Sequence, residues 1–194
     1  MTTRDRIRDA GAQMFRRNGY TGTGVKQVAA AAGAQLGSLY HFFPGGKEQL
    51  VEEVIRTSGP LYGDLVYQIL DPYDDPVTAI TDAFAIAAQD LEASNYADAC
   101  PIATIALEVA STNDHLRQAT ADVFTGWLDR GTALFARHGL DEPTARRLTI
   151  AMIAALEGAF VLARALRTTE PLHAAGTAVA TATRQALQEA TEAR

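Results

Sequence analysis

One cysteine, Cys100, is the whole thiol content of this 194-residue chain. No internal disulfide can form, and a reducing compartment is expected. No run approaches the ~18 uninterrupted apolar residues of a bilayer-spanning helix. The opening stretch MTTRDRIRDA has no apolar signal core, so a cytoplasmic location and no membrane partner are expected. Strand-like alternation is missing throughout, as are internal repeats and low-complexity linkers. Chemical constellations are scarce too. His41, His115, His138 and His173 show no metal-ligand spacing, and no phosphate loop or Gly-x-Gly-x-x-Gly fingerprint follows a strand. Nothing in the sequence supplies Cys100 with an activating partner, so it reads as a buried structural thiol. No catalytic residue, metal or cofactor is expected, and an enzyme is the disfavoured rival.

Lysine is rarer than arginine: Lys26 and Lys47 are the chain's two, and both stand near its start. Residues 1–47 carry seven basic groups (Arg4, Arg6, Arg8, Arg16, Arg17, Lys26, Lys47) against Asp5 and Asp9, hence +5. The remaining 147 residues carry ten basic and 21 acidic groups, hence −11, and the whole chain is −6. A head of one sign on a body of the other suits a head that faces phosphates.

What is abundant is helical periodicity. Ile7, Ala10, Gly11, Met14 and Phe15 recur at i, i+3, i+4, i+7 and i+8, which predicts a helix over 3–17. Thr2 with Asp5 resembles a capping box at its start, and Asn18-Gly19 stops it. Thr23 is placed to cap a short second helix whose inner face is Val25, Val28, Ala29 and Ala32. Gly33 ends that helix where a left-handed backbone is required. A third helix follows over about 35–42. Pro44-Gly45-Gly46 precedes a longer one starting near Lys47, which Ser58-Gly59-Pro60 is expected to kink or interrupt. Further helices are predicted over 76–94, 101–111, 114–138, 141–167 and 171–191.

Two short helices joined by a glycine turn make a DNA-reading helix-turn-helix. The first must be small on its packed face, as Ala29-Ala30-Ala31-Ala32 is. The second must expose small, hydrogen-bonding groups, a condition that Gln35, Gly37 and Ser38 meet. Leu39 and Phe42 read as inward anchors, while Tyr40 and His41 can reach phosphate oxygens.

The segment Gly19-Tyr20-Thr21-Gly22-Thr23-Gly24-Val25, continuing through Ala32-Gly33-Ala34-Gln35-Leu36-Gly37-Ser38-Leu39-Tyr40-His41-Phe42-Phe43-Pro44-Gly45-Gly46-Lys47-Glu48, resembles the tetracycline-repressor (TetR) family. The resemblance implies that Thr23 touches phosphate, that the Gly37–His41 helix enters the major groove, and that Lys47 binds the backbone from the start of the fourth helix. Many relatives carry a basic residue where this chain has Leu36. That leaves Leu36 either to meet a thymine methyl or to fill the head core, the second being preferred. The stretch Ala99-Cys100-Pro101-Ile102-Ala103-Thr104-Ile105-Ala106-Leu107-Glu108 resembles the LmrA/YxaF-like branch, which implies a regulator of efflux or catabolic genes that responds to planar aromatic or drug-like compounds.

The implied architecture is all-α. A three-helix helix-turn-helix domain over 1–46 precedes a larger ligand-binding and dimerisation domain over 47–194. The family implies a cavity among the middle helices, where Tyr62, Phe84, Phe124, Trp127, Phe135 and Phe160 crowd; plain core is the competing reading for each of them. Cys100, Thr104 and Glu108 lie four apart and share one face if a helix begins near Cys100. With Trp127 they are the expected polar sprinkling, and Tyr62, Phe84, Phe124, Leu156 and Phe160 the other expected effector contacts. Ala151, Ala155, Gly158 and Leu162 form one stripe of the eighth helix, Met152, Leu156 and Phe160 another. A helix apolar on two faces must be buried on both. The last helix adds Ala174, Ala175, Ala178, Ala182 and Ala186. The family pairs these two helices with their symmetry mates, so the expected partners are a second copy, double-stranded operator DNA and a small-molecule effector. Repression and activation differ in where an operator sits relative to its promoter, which the chain does not encode.

Overall fold

The computed structural model describes residues 1–193, which form nine helices and no strand. In chain order these are α1 (Thr3–Asn18), α2 (Val25–Ala31), α3 (Leu36–Phe42), α4 (Gly46–Leu70), α5 (Pro76–Ala93), α6 (Pro101–Val109), α7 (Asp114–Arg137), α8 (Glu142–Leu166) and α9 (Glu170–Glu192). The chain divides into two compact units, one of residues 1–61 and 99–124, the other of residues 62–98 and 125 onward. This division differs from the boundary at 46/47 that the motif suggests. The reason is that α1 packs on α6 as well as on α2 and α3.

Local chemistry sets the ends of the first unit's helices. The Thr2 hydroxyl accepts the Asp5 N–H at 3.1 Å while the Asp5 carboxylate accepts the Thr2 N–H at 2.9 Å, completing the capping box of α1. The Thr2 N–H, and the Thr2 hydroxyl at 2.8 Å, both donate to the Asp5 carboxylate and hold it below its ordinary value. Gly19 (φ 73°) ends α1, and Gly33 (φ 60°) makes the left-handed turn between α2 and α3. Ile7, Gly11 and Phe15 turn inward from α1, with Gly11 against the Leu50 side chain of α4. Val28 and Ala29 of α2, Leu39 of α3 and Leu50, Val51, Val54 and Ile55 of α4 complete this core, which Ile102, Ile105 and Val109 of α6 extend. Phe43 rather than Phe42 is the buried aromatic anchor, because the chain leaves α3 at Phe42 and turns the next side chain inward.

Pro60 does not interrupt α4, which is continuous from Gly46 to Leu70. Proline removes one i→i−4 bond, but the neighbouring turns keep theirs. Gly59 beside it lies close to α7: a Cβ there would stand 2.6 Å from Val123 Cγ1. The first of the two segments that make up the first compact unit ends at Leu61, just beyond Pro60.

In the second unit α9 packs against both α5 and α8. Gly176 lets α9 approach so closely that a Cβ would meet Phe84 Cβ at 2.7 Å. The core contains Tyr67, Ile80, Phe84, Leu91, Phe135, Met152, Phe160 and Leu172. The Tyr67 hydroxyl donates to the Trp127 carbonyl at 2.5 Å. Burial pushes the phenol up to about 12. By length and composition α8 could cross a membrane, with an 18-residue window of mean hydropathy 1.7. Here Met152, Ala159, Phe160 and Ala163 bury one side of it in the core.

Two glycines of α7 separate packing from propensity. At Gly131 a Cβ would lie 2.4 Å from Thr149 Cγ2 and 2.8 Å from the Tyr67 hydroxyl, whereas at Gly126 it would meet nothing within 4 Å. Gly131→Ala should therefore cost about 1–3 kcal/mol through overpacking. Gly126→Ala should add about 0.5–1 kcal/mol through helix propensity. Urea unfolding of the two variants is the check, and equal shifts would contradict the packing described for α7.

Candidate nucleic-acid interface

The presented surface of α3 follows from what its other side must bury. Leu39 and Phe43 are fully enclosed, and Leu36, half-buried, shares their row. Gln35 stands exposed at the N-cap of α3 with no side-chain cap bond. Gly37 and His41 are exposed, and Ser38 is half-buried. The His41 ring meets Phe42 edge-on at 4.9 Å. Tyr40 keeps 48% of its surface open, and its ring edge approaches Gly46 at the start of α4, where a Cβ would lie 3.4 Å away. Lys47 follows directly. Its ammonium sits 4.3 Å from the centroid of the Tyr20 ring. Burial pushes the Lys47 amine below its usual value, against the opposing charge of Glu108.

Thr23 departs from expectation twice. The N-cap of α2 is Gly24, whose N–H is accepted by the Gln27 side chain at 3.0 Å. The Thr23 side chain is only 1% exposed, and its hydroxyl donates to the Gly19 carbonyl at 2.9 Å. It holds the turn from within and is not presented to a phosphate. The hydroxyl was expected one position too early, since glycine offers no side-chain signal for a cap.

Much of the head's positive charge serves its own structure. Arg4 pairs with Glu53, Arg8 with Asp5 and Asp9, Arg6 donates to the Ala32 carbonyl, and Arg16 to the Ala99 carbonyl. Lys26, exposed in the first turn of α2, is a cation that the motif reading passed over.

Of the expected effector contacts, Cys100, Thr104, Glu108 and Phe124 belong to the first compact unit and Tyr62, Phe84, Trp127, Leu156 and Phe160 to the second. Cys100 is fully buried and caps α6, its sulfur accepting the Ala103 N–H at 3.4 Å. Thr104 donates to the Cys100 carbonyl at 2.8 Å. Cys100 is thus the N-cap directly before α6, with Thr104 one turn on from it. Glu108 is occupied elsewhere: its two oxygens accept the N–H groups of Tyr20 at 2.9 Å and Thr21 at 2.8 Å. That engagement withdraws it from the effector set, and no sequence pattern joins residues so far apart. Phe84 and Phe160 are core, Phe124 and Leu156 are half-buried, and the Tyr62 and Trp127 rings lie 5.8 Å apart. An open groove of about 600 Å³ between α5 and α9 is lined by Asp75, Thr78, Asp82, Arg184 and others, and by none of these nine residues.

Residues 7–54 match the family described as bacterial regulatory proteins, tetR family, and residues 76–178 the LmrA/YxaF-like transcriptional-regulator C-terminal domain. The chain belongs to the TetR family. The HTH-type transcriptional regulator YxaF of Bacillus subtilis is 32% identical over 174 residues, 88% of this chain and 89% of that protein. The HTH-type transcriptional repressor KstR2 of Mycolicibacterium smegmatis is 37% identical over 89 residues, 46% of this chain and 43% of that one. The fold is that of the TetR regulatory protein from Rhodobacter sphaeroides, with a TM-score of 0.81 at 22% identity over 92% of this chain and 97% of that chain. TetR-family proteins are transcriptional regulators rather than enzymes; they bind operator DNA and act as dimers.

Burial raises the Glu108 carboxyl, but the hydrogen bonds from Thr21 and Tyr20 and the Lys47 charge outweigh it and hold the group below its usual 4.5. A carboxyl depressed by folding stabilises fully above its unfolded value and loses that stabilisation as pH falls through the folded one. Urea stability should thus fall below pH 4.5 more steeply in the native chain than in Glu108→Gln. Parallel pH profiles would show that the carboxylate is not linked to folding.

Proposed function

We propose that this TetR-family regulator is a ligand-responsive repressor of efflux or catabolic genes. In this reading it reads a pseudo-palindromic operator with α3 and is released by a small apolar or aromatic effector. The observation that carries the DNA-reading part is the division of α3 into an anchored row, Leu39 with Phe43 just beyond it, and an open face bearing Gln35, Gly37, Ser38, Tyr40 and His41. Gln35 and Ser38 are assigned to base edges, and Tyr40, His41 and Lys47, joined by Lys26, to phosphates. Repression is supported by the name of KstR2, a relative over 46% of this chain.

The second copy is assigned to α8 and α9. Ile150, Val161, Leu162 and Leu166 stand exposed on α8, with Ala151 and Gly158 beside them. On α9 Ala174, Ala178 and Ala182 are exposed four apart, while Ala175 and Ala186 turn to the core. A C2 pair through these faces would set two reading helices one turn of duplex apart, ~34–36 Å. For the effector, Tyr62 and Trp127 remain the favoured aromatic contacts. As the sole tryptophan, Trp127 should report binding of planar aromatic compounds by fluorescence quenching.

Titration of DNA from upstream of the chain's own gene tests the whole reading, since release by such compounds should accompany quenching. Lys47→Ala should weaken every duplex and lower the salt slope by about 1, whereas changes at Gln35 or Ser38 should also shift base preference. Leu162→Glu, placing a charge on the exposed α8 stripe, should yield monomers by sedimentation and cost operator affinity. A dimer that survives it would refute the assignment of the interface.

A further inference from the structure

Glu108 is near the C-terminal end of α6, yet both its oxygens are spent on the turn between α1 and α2. Oε1 accepts the Tyr20 N–H at 2.9 Å and Oε2 the Thr21 N–H at 2.8 Å, across 88 and 87 residues of sequence. The turn is shaped around that carboxylate. Gly19 has φ +73°, and a Cβ there would stand 1.8 Å from Glu108 Oε1. From the same turn Tyr20 offers the ring on which the Lys47 ammonium rests, 4.3 Å from its centroid. Thr23 is tied back to the Gly19 carbonyl immediately before α2 begins.

We infer that Glu108 is a positioning residue for DNA binding: its carboxylate sets the Gly19–Thr23 turn and through it the seat of Lys47 and the start of α2. The inference rests on the reading that α3 and Lys47 face DNA. The chemistry is specific to a carboxylate. Two adjacent backbone donors need two acceptor oxygens, and an ionised acceptor makes each bond about twice as strong as a neutral one. A glutamine of the same size has one acceptor oxygen and would turn its own NH2 toward the second donor, leaving that N–H unpaired.

The test uses the full-length chain and two 30-base-pair duplexes, one from upstream of its own gene and one of unrelated sequence, followed by fluorescence anisotropy over a range of salt. Glu108→Gln should weaken both duplexes by about tenfold. Its salt slope should fall by about 1, as one phosphate contact is lost. Glu108→Asp, which keeps both acceptor oxygens, should recover the slope and part of the affinity. Amide exchange at Tyr20 and Thr21 should quicken in Glu108→Gln and not in Glu108→Asp. Affinity and slope both unchanged in Glu108→Gln would overturn the proposal. A lower melting temperature with the full slope retained would overturn it equally, because that is what a merely structural contact does. If Glu108→Gln fails to fold, Glu108→Asp decides: a slope no better than that of Lys47→Ala counts against the proposal. Lys47→Ala keeps the two readings apart. Weakened binding in Lys47→Ala with none in Glu108→Gln defeats this inference alone, whereas silence in both defeats the assignment of the head to DNA.

Discussion

Isolated in water, a seven-residue helix does not persist, because nucleating the first turn costs more than two turns of hydrogen bonds return. Both α2 and α3 have seven residues. The reading surface therefore exists only as the outer side of a packed object, with Val28, Ala29, Leu39 and Phe43 buried where α2 and α3 pack on α1 and on each other. Full burial of a Val, Leu or Phe side chain contributes about 1.5–3 kcal/mol, so the set together holds helices that short. The inner side is bulky and apolar so that the outer one can be small and polar. Gly37, where a side chain would meet nothing, is the clearest mark of that division.

The same logic operates on a larger scale in α8. Its large apolar residues lie on more than the one side that the core buries. Met152, Ala159, Phe160 and Ala163 satisfy one side within the second unit, and the Ile150–Leu166 side is left open. In the dimer proposed above, a second copy would cover this face. Among the aromatic residues of the body, Phe84 is pressed on Gly176, Phe160 lies within the core cluster, and Trp127 is buried too, its ring 5.8 Å from that of the half-buried Tyr62.

Local codes were readable wherever a residue acts on its own neighbourhood. The Thr2–Asp5 box, the stop at Gly19, the left-handed Gly33 and the ends of most helices all sit where periodicity and capping chemistry put them. The misreadings share one cause. Thr23 offers a good capping hydroxyl, but the backbone starts α2 one residue later and takes that hydroxyl inside. Phe42 and Phe43 are indistinguishable by composition, and the path of the chain out of α3 decides which is enclosed. Pro60 should weaken α4, yet the helix continues beside the close approach of Gly59 to Val123.

The sequence by itself determined the all-α class, the helix-turn-helix and the family, because these depend on spacing over a few turns and on a long local motif. Only tertiary structure decided where the charged groups are spent: Arg16 on Ala99, Arg4 on Glu53, and Glu108 on the Tyr20–Thr21 turn. Those pairings join residues separated by 49 to 88 positions. A carboxylate carries no local mark of which distant N–H it will meet, since that is fixed by how helices pack and not by what lies beside it in the chain.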